Sequence, residues 1–105
     1  MAKIAPSILS ADFANLERDL KVIAAGGADW AHVDVMDGVF VPNITIGIPV
    51  TESLSKVSPL PLDVHLMITQ PHRYVEDFAK AGADLLSIHL EAEPKVGCIL
   101  SEPRV

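Results

Sequence analysis

The chain has 105 residues, of which 50% are hydrophobic and 21% charged, with a formal net charge of −6. This length allows one small domain with a modest core, the hydrophobic share disfavours intrinsic disorder, and the acidic balance argues against nucleic acid or an anionic membrane as the main partner. No stretch approaches the roughly 20 apolar residues of a membrane helix. The sequence has one cysteine, Cys98, and its N-terminus lacks the apolar run of a signal peptide, which together predict a cytoplasmic protein.

The first half of the chain predicts two strands separated by a helix. The apolar run at residues 3–9 predicts a strand, and leucine, isoleucine and alanine at helical spacing predict a helix over 15–25. Two glycines stop that helix, and a second strand follows at 30–36. Residues 37–48, which include a proline, predict a long loop.

The second half of the chain continues the same alternation. Pro49 suits the first turn of a helix, and Pro59 and Pro61 prevent this helix from extending beyond about residue 57. The remaining predicted elements are a strand at 62–67, a helix capped by Thr69 that runs to Gly82, and a strand at 85–90. Four strands alternating with three helices predict an α/β fold, because parallel strands need crossover connections.

Polar side chains fall on one face of two of these strands. Because side chains alternate along a strand, His32, Asp34 and Met36 are predicted to point to the same side. The later strand repeats this pattern with Asp63, His65 and Met67. Two strands thus present histidine, carboxylate and methionine on a single face.

These residue types indicate a metal site. Imidazole and carboxylate together suit a divalent transition metal such as zinc, iron, manganese or cobalt, and a catalytic site can keep one position open. His32, Asp34 and His65 are therefore three candidate ligands, beside which methionine would supply an apolar wall. On the earlier strand alone, a hydrogen-bonded His–Asp pair explains the pattern equally well, and the later strand favours the metal.

Four ordered motifs carry a resemblance to a known family. They read APSILSAD at 5–12, HVDVMDG at 32–38, FVPN at 40–43 and DVHLM at 63–67. In this order they resemble the ribulose-phosphate 3-epimerase family, over about residues 3–93. The resemblance implies a (β/α)8 TIM barrel with its active site at the carboxyl ends of the strands. It also implies interconversion of D-ribulose 5-phosphate and D-xylulose 5-phosphate, a step of the pentose phosphate pathway.

The resemblance implies a role for each candidate residue. One divalent metal would be held by His32, Asp34 and His65, and Asp34 would also be the general base that removes a proton next to the substrate carbonyl. The residues that would contact the sugar phosphate are Ser7, His65, Met36 and Met67. For Ser7, a turn residue at a strand end is the less favoured alternative.

The chain departs from the family in length. An eight-stranded barrel needs at least about 200 residues, so residues 1–93 are expected to form the amino-terminal half of a TIM barrel. Residues 94–105 do not match the family's order and are expected to be an atypical tail, in which 96–100 could add a small strand. The family's second catalytic aspartate and its phosphate-binding loops, on strands seven and eight, have no counterpart here.

Three functions therefore stay open. The chain could supply half the site of a ribulose-phosphate epimerase, or it could serve another ketose phosphate, since the same residues would suit both. It could instead be a non-catalytic half-barrel that acts as a binding or assembly module. Because a half-barrel leaves strand edges and an apolar face uncovered, self-association or a complementing half-barrel is the expected protein partner.

Other polar residues near the strand ends have plainer interpretations. Asp63 is expected to orient His65 or to contact a neighbour. Asp37 is expected to belong to a turn with Gly38, and the alternative is that it orients the ligands of the metal site. His89, at the end of the last predicted strand, is more readily explained as a structural histidine than as a residue that supports the site.

Overall fold

The computed structural model describes residues 3–92, in which helices and strands alternate as the sequence predicts. The helices are α1 (Leu16–Ala25), α2 (Ile48–Val57) and α3 (Val75–Ala81), and the strands are β1 (Ala31–Met36), β2 (Leu62–Met67) and β3 (Leu85–Ile88). None of the helices in this part of the chain is long and apolar enough to cross a membrane. The predicted tail at 94–105 lies outside the described residues.

The three strands form one parallel, open sheet in the order β1–β2–β3. β1 and β2 pair over their whole length, with Asp34 opposite His65 and Met36 opposite Met67. The polar positions of both strands therefore fall on the same face. Three parallel strands with three helices are consistent with part of a TIM barrel.

Within residues 3–92, the helices cover one face of this sheet. Alternate residues of β1 and β2 are buried beneath them, as are side chains of the helices themselves: Ala31, Val33, Val35, Leu62, Val64, Leu66, Leu20, Leu54 and Phe78. The opposite face is less covered, since His32 and His65 are half-buried and Leu85 is 47% exposed. The polar face is thus the open face of the sheet.

The prediction of four strands is wrong for the described residues, which contain three, because the first predicted strand does not form; the last predicted strand forms but is shorter. In place of the strand at 3–9, the structure has an extended segment that meets β1 at a single bridge between Ser7 and His32. Pro6 has no N–H to donate, although its carbonyl accepts from the His32 N–H at 3.0 Å, and a 3-10 turn begins directly after Ser7. The last strand ends at Ile88 because a 3-10 turn follows it closely.

The predicted helix that begins at Thr69 is wrong at its start. Gln70 adopts a positive φ of 48°, a short 3-10 turn follows it, and α3 begins only at Val75. The Thr69 N–H donates to the carboxylate of Asp37 at 2.8 Å. Thr69 therefore joins the loop after β1 to the end of β2 and does not cap a helix.

A close approach between α2 and α3 requires glycine at position 82. Gly82 ends α3 with φ of 116°, and a Cβ at this position would lie 2.4 Å from the Cβ of Ser55 on α2. Gly27 also has a positive φ, 95°, but no atom lies within 4 Å of the place its Cβ would occupy. Gly38 also has a positive φ, 77°, and a Cβ there would lie 2.7 Å from Cγ1 of Ile44, but this exposed side chain can move aside, whereas the Cβ of Ser55 is fixed to the backbone of α2.

Candidate metal centre

The pairing of β1 with β2 brings His32, Asp34 and His65 together. Asp34 and His65 are direct neighbours across the two strands, and His32 lies one alternation earlier on the same face. One donor atom from each residue lies within 4.8 Å of the others. The three predicted ligands therefore converge on one point, and their role as ligands stays a prediction.

Asp34 is at the centre of the cluster. Its Oδ1 lies 2.9 Å from His32 Nε2 and 3.1 Å from His65 Nδ1, and its Oδ2 accepts a hydrogen bond of 2.5 Å from the Ser7 hydroxyl. The Asp34 side chain is only 11% exposed, whereas the two imidazoles are about a quarter exposed. A carboxylate this well buried needs such partners, and both of its oxygens have them.

Asp63 contacts His32 rather than His65. Its Oδ2 lies 2.9 Å from His32 Nδ1, because the strand register places these two residues opposite each other. The expectation that Asp63 orients His65 is therefore wrong, and its alternative, contact with a neighbour, is confirmed. The sequence carried the needed signal, since matching the same-face residues of the two strands in order pairs His32 with Asp63.

The hydrogen bonds of His32 test whether a metal would fit. The Asp63 carboxylate accepts from the Nδ1–H of His32, and in a neutral ring the Nε2 lone pair then faces Asp34 Oδ1 at 2.9 Å. Two electron-rich atoms this close need a positive charge between or beside them. The donor set of two imidazoles and one carboxylate fits a divalent transition metal, and the carboxylate–histidine pair is typical of such sites.

The predicted substrate contacts lie around this cluster. Ser7 reaches Asp34 from the extended segment beside β1. Met36 and Met67 lie opposite each other at the carboxyl ends of their strands, half-buried on the polar face. Whether these residues contact a substrate stays a prediction.

The long loop makes two contacts near the site that the sequence pattern does not predict. The Thr45 hydroxyl donates to the backbone oxygen of Asp34 at 2.7 Å and accepts from the Met36 N–H at 3.0 Å, which ties the loop to the end of β1. The ring of Phe40, in the same loop, lies 5.2 Å from that of His89. No pattern within the loop indicates either contact, because both depend on how the loop folds back.

Asp37 organises the first turn of this loop. Burial raises the pKa of its carboxyl, but the N–H groups of Thr69, Val39 and Phe40 donate to it, and the net result is a pKa below the usual value. Asp37 thereby fixes the backbone that places Phe40 against His89.

We expect the contribution of Asp37 to stability to disappear in acid. A carboxyl whose pKa is lowered in the folded state stabilises it above the unfolded pKa, about 3.9, and stops doing so as the pH falls through the folded pKa. Asp37→Asn should therefore lower the free energy of unfolding at neutral pH, and the difference from the wild type should shrink below about pH 4. Urea denaturation at a series of pH values measures this, and a difference that is independent of pH would contradict it.

Comparison with known proteins identifies the family. The family model described as "Ribulose-phosphate 3 epimerase family" matches residues 3–104. A ribulose-phosphate 3-epimerase of Bacillus subtilis is 63% identical over 94 residues, which is 90% of this chain and 43% of that protein. A ribulose-phosphate 3-epimerase of Synechocystis is 59% identical over 88 residues, covering 84% of this chain and 38% of that protein. A chloroplastic ribulose-5-phosphate-3-epimerase of Arabidopsis thaliana is 56% identical over 93 residues, covering 89% of this chain and 33% of that protein.

The extent of these matches defines what the chain represents. It spans 33% to 43% of the lengths of these three relatives. The matching part is their N-terminal portion. The chain therefore belongs to the ribulose-phosphate 3-epimerase family.

Proposed function

We propose that this chain supplies part of the active site of a metal-dependent epimerase that interconverts D-ribulose 5-phosphate and D-xylulose 5-phosphate. The observation that carries the proposal is the cluster of His32, Asp34 and His65 on the open face of the sheet. Family membership supports the choice of substrate, a sugar phosphate. The reaction removes the proton at C3 and returns one to the opposite face through an enediolate.

The metal site would be formed by His32, Asp34 and His65, for zinc, iron, manganese or cobalt. The bound ion would act as a Lewis acid that offsets the negative charge of the enediolate. Asp63 would hold the His32 ring in place through Nδ1, so that Nε2 stays directed at the centre.

Asp34 would also move the proton. Its Oδ1 faces the two imidazoles, which leaves Oδ2 as the atom that can accept the C3 proton. Ser7 donates its hydroxyl proton to this Oδ2. When Oδ2 takes the proton from the substrate, the Ser7 hydroxyl is released to donate to a substrate oxygen. Met36 and Met67 would form an apolar wall beside the planar intermediate.

Inversion at C3 requires acid–base groups on both faces of the intermediate. Asp34 can serve one face, and by family resemblance the second aspartate and the phosphate loops come from later strands. We therefore propose that full activity needs a complementing half-barrel, in the same polypeptide or in a second one. We also propose a cytoplasmic location, which the single cysteine of the sequence fits. The 47% exposed Leu85 on the open face supports the need for such a covering partner.

The same exposed face favours a second candidate, a non-catalytic assembly module. In that case the open face would bind a partner, and the cluster would be only a hydrogen-bonded structural network. Metal binding distinguishes the two functions, because a purely structural network needs no ion.

We expect the chain to bind a divalent transition metal, and His65→Ala to remove most of this binding. Loss of groups that only support ligands typically weakens metal affinity about 10- to 100-fold, so loss of a ligand should weaken it by about 100-fold or more. Isothermal calorimetry with zinc or cobalt measures the affinity. His72→Ala, which removes a histidine outside the cluster, is the matched control and should bind like the wild type. Equal affinity of His65→Ala and the wild type would exclude His65 as a ligand.

A further inference from the structure

A second chain of hydrogen bonds reaches the cluster from beyond β3. His89 follows this strand, and its Nε2 lies 2.7 Å from His65 Nε2. The two rings are inclined by 23° with their centroids 4.9 Å apart, so they meet edge to edge through these nitrogens. On its other side, His89 Nδ1 lies 3.1 Å from Glu91 Oε1. The function proposed above assigns no role to His89 or Glu91.

The chemistry of these groups determines which nitrogen of each histidine carries the proton. The pKa of Glu91 lies below its usual value because its own backbone N–H and the His89 side chain donate to it, so its carboxylate can only accept. A neutral His89 must then carry its proton on Nδ1, which leaves Nε2 as an acceptor. His65 in turn must donate from Nε2, and its Nδ1 lone pair then faces Asp34 Oδ1 at 3.1 Å.

The result mirrors the arrangement at His32. There, Asp63 fixes the proton on the ring nitrogen remote from Asp34, and here Glu91 does the same through His89. Both imidazoles then direct a lone pair to the same carboxylate oxygen. We infer that Glu91 and His89 are positioning residues that set the tautomer of His65, so that its Nδ1 is free to bind the metal. This inference rests on the proposed metal site.

The location of His89 separates this role from a structural one. Its side chain is 33% exposed, and the Phe40 ring supports it from the loop after β1. Replacing a partly exposed side chain after the end of a strand should change stability little compared with a core substitution. If His89 acts as a positioning residue, its replacement should therefore change the protonated nitrogen of His65 and the metal affinity without unfolding the protein.

The test compares two variants of the 105-residue chain. His89→Leu removes the acceptor that faces His65, while His89→Gln keeps an acceptor oxygen at about the reach of the imidazole Nε2. Long-range proton–nitrogen correlation spectra of the metal-free chain, at about pH 8 where imidazole is ordinarily neutral, identify which nitrogen of His65 is protonated. Calorimetry with zinc measures the affinity, and circular dichroism checks the fold.

We expect His65 to be protonated on Nε2 in the wild type and in His89→Gln, and to be a mixture of tautomers in His89→Leu. Zinc affinity should fall about 10-fold or more in His89→Leu and should be largely restored in His89→Gln. A wild-type His65 protonated on Nδ1, or a folded His89→Leu that binds zinc as tightly as the wild type, would overturn the inference. If the wild-type chain binds no metal while the tautomer of His65 still depends on His89, the proposed metal site is wrong, but the role of His89 in setting that tautomer is confirmed.

Discussion

Asp34→Asn should abolish exchange of the C3 proton of ribulose 5-phosphate with solvent. An asparagine side chain keeps the size of Asp34, but it cannot accept a proton at Oδ2, and as a neutral amide it is a poor third ligand beside two imidazoles. Removal of a general base alone typically costs a factor of 100 to 10,000, so we expect a loss of about a thousandfold or more when the metal is weakened as well.

The measurement uses nuclear magnetic resonance in deuterated water. The zinc-loaded chain alone should exchange the C3 proton slowly and produce little xylulose 5-phosphate, because it acts on one face only. Addition of a segment that supplies the remaining strands should raise epimerisation, and Asp34→Asn should remove this gain. Asp77→Asn, the same change at an exposed position on α3, should behave like the wild type. Full epimerase activity of the chain alone as a verified monomer would contradict the requirement for two acid–base faces.

Gly82→Ala should be among the most destabilising single substitutions in the chain. It forces a side chain into a left-handed conformation, with φ of 116°, and places the new Cβ 2.4 Å from the Cβ of Ser55. The conformational strain costs about 1 to 2 kcal/mol, and the clash adds about 1 to 3 kcal/mol as α2 and α3 move apart. Gly27→Ala carries a similar strain but meets no atom within 4 Å, so it should cost only the first amount.

Urea denaturation of four further variants separates the clash from the strain. Combining Gly82→Ala with Ser55→Gly removes the clashing Cβ, so part of the lost stability should return despite the cost of about 1 kcal/mol for glycine within a helix. Ser55→Ala keeps that Cβ and removes only the hydroxyl oxygen, which would lie 2.6 Å from the new Cβ, so the same combination with alanine should recover less than the one with glycine. The two Ser55 single variants complete the cycle. Equal stabilities of Gly82→Ala and Gly27→Ala would show that the helices accommodate the extra carbon without cost.

The central part of the fold was predictable because local pattern and packing agree there. The alternation over β1 and β2 specified which residues face the helices, and it placed His32, Asp34 and His65 on the other face. Parallel pairing then brought the three side chains together without any further information. The prediction needed only the two-residue repeat of side-chain direction along each strand and the pairing of the two strands in register.

The missed features depend on contacts between distant segments. The apolar run at 3–9 has the composition of a strand, yet the proline at position 6 and the turn after Ser7 limit its pairing to one bridge. The helix predicted from Thr69 begins later because Gln70 adopts a left-handed conformation. The contact of His89 with His65 depends on where β3 ends, and the sequence pattern predicted a strand two residues too long.

The register between β1 and β2 constrains chain length as well as residue identity. β2 follows α2 after the short connection at residues 58–61, in which the Ser58 hydroxyl donates to the Leu60 carbonyl and accepts from the Leu60 N–H. A deletion or insertion of one residue that the connection did not absorb would shift β2 by one position, which would turn His65 into the helix layer and Leu66 onto the open face. Such an indel would dismantle the cluster while leaving every donor in the sequence, so the spacing between α2 and β2 belongs to the site as much as its side chains do.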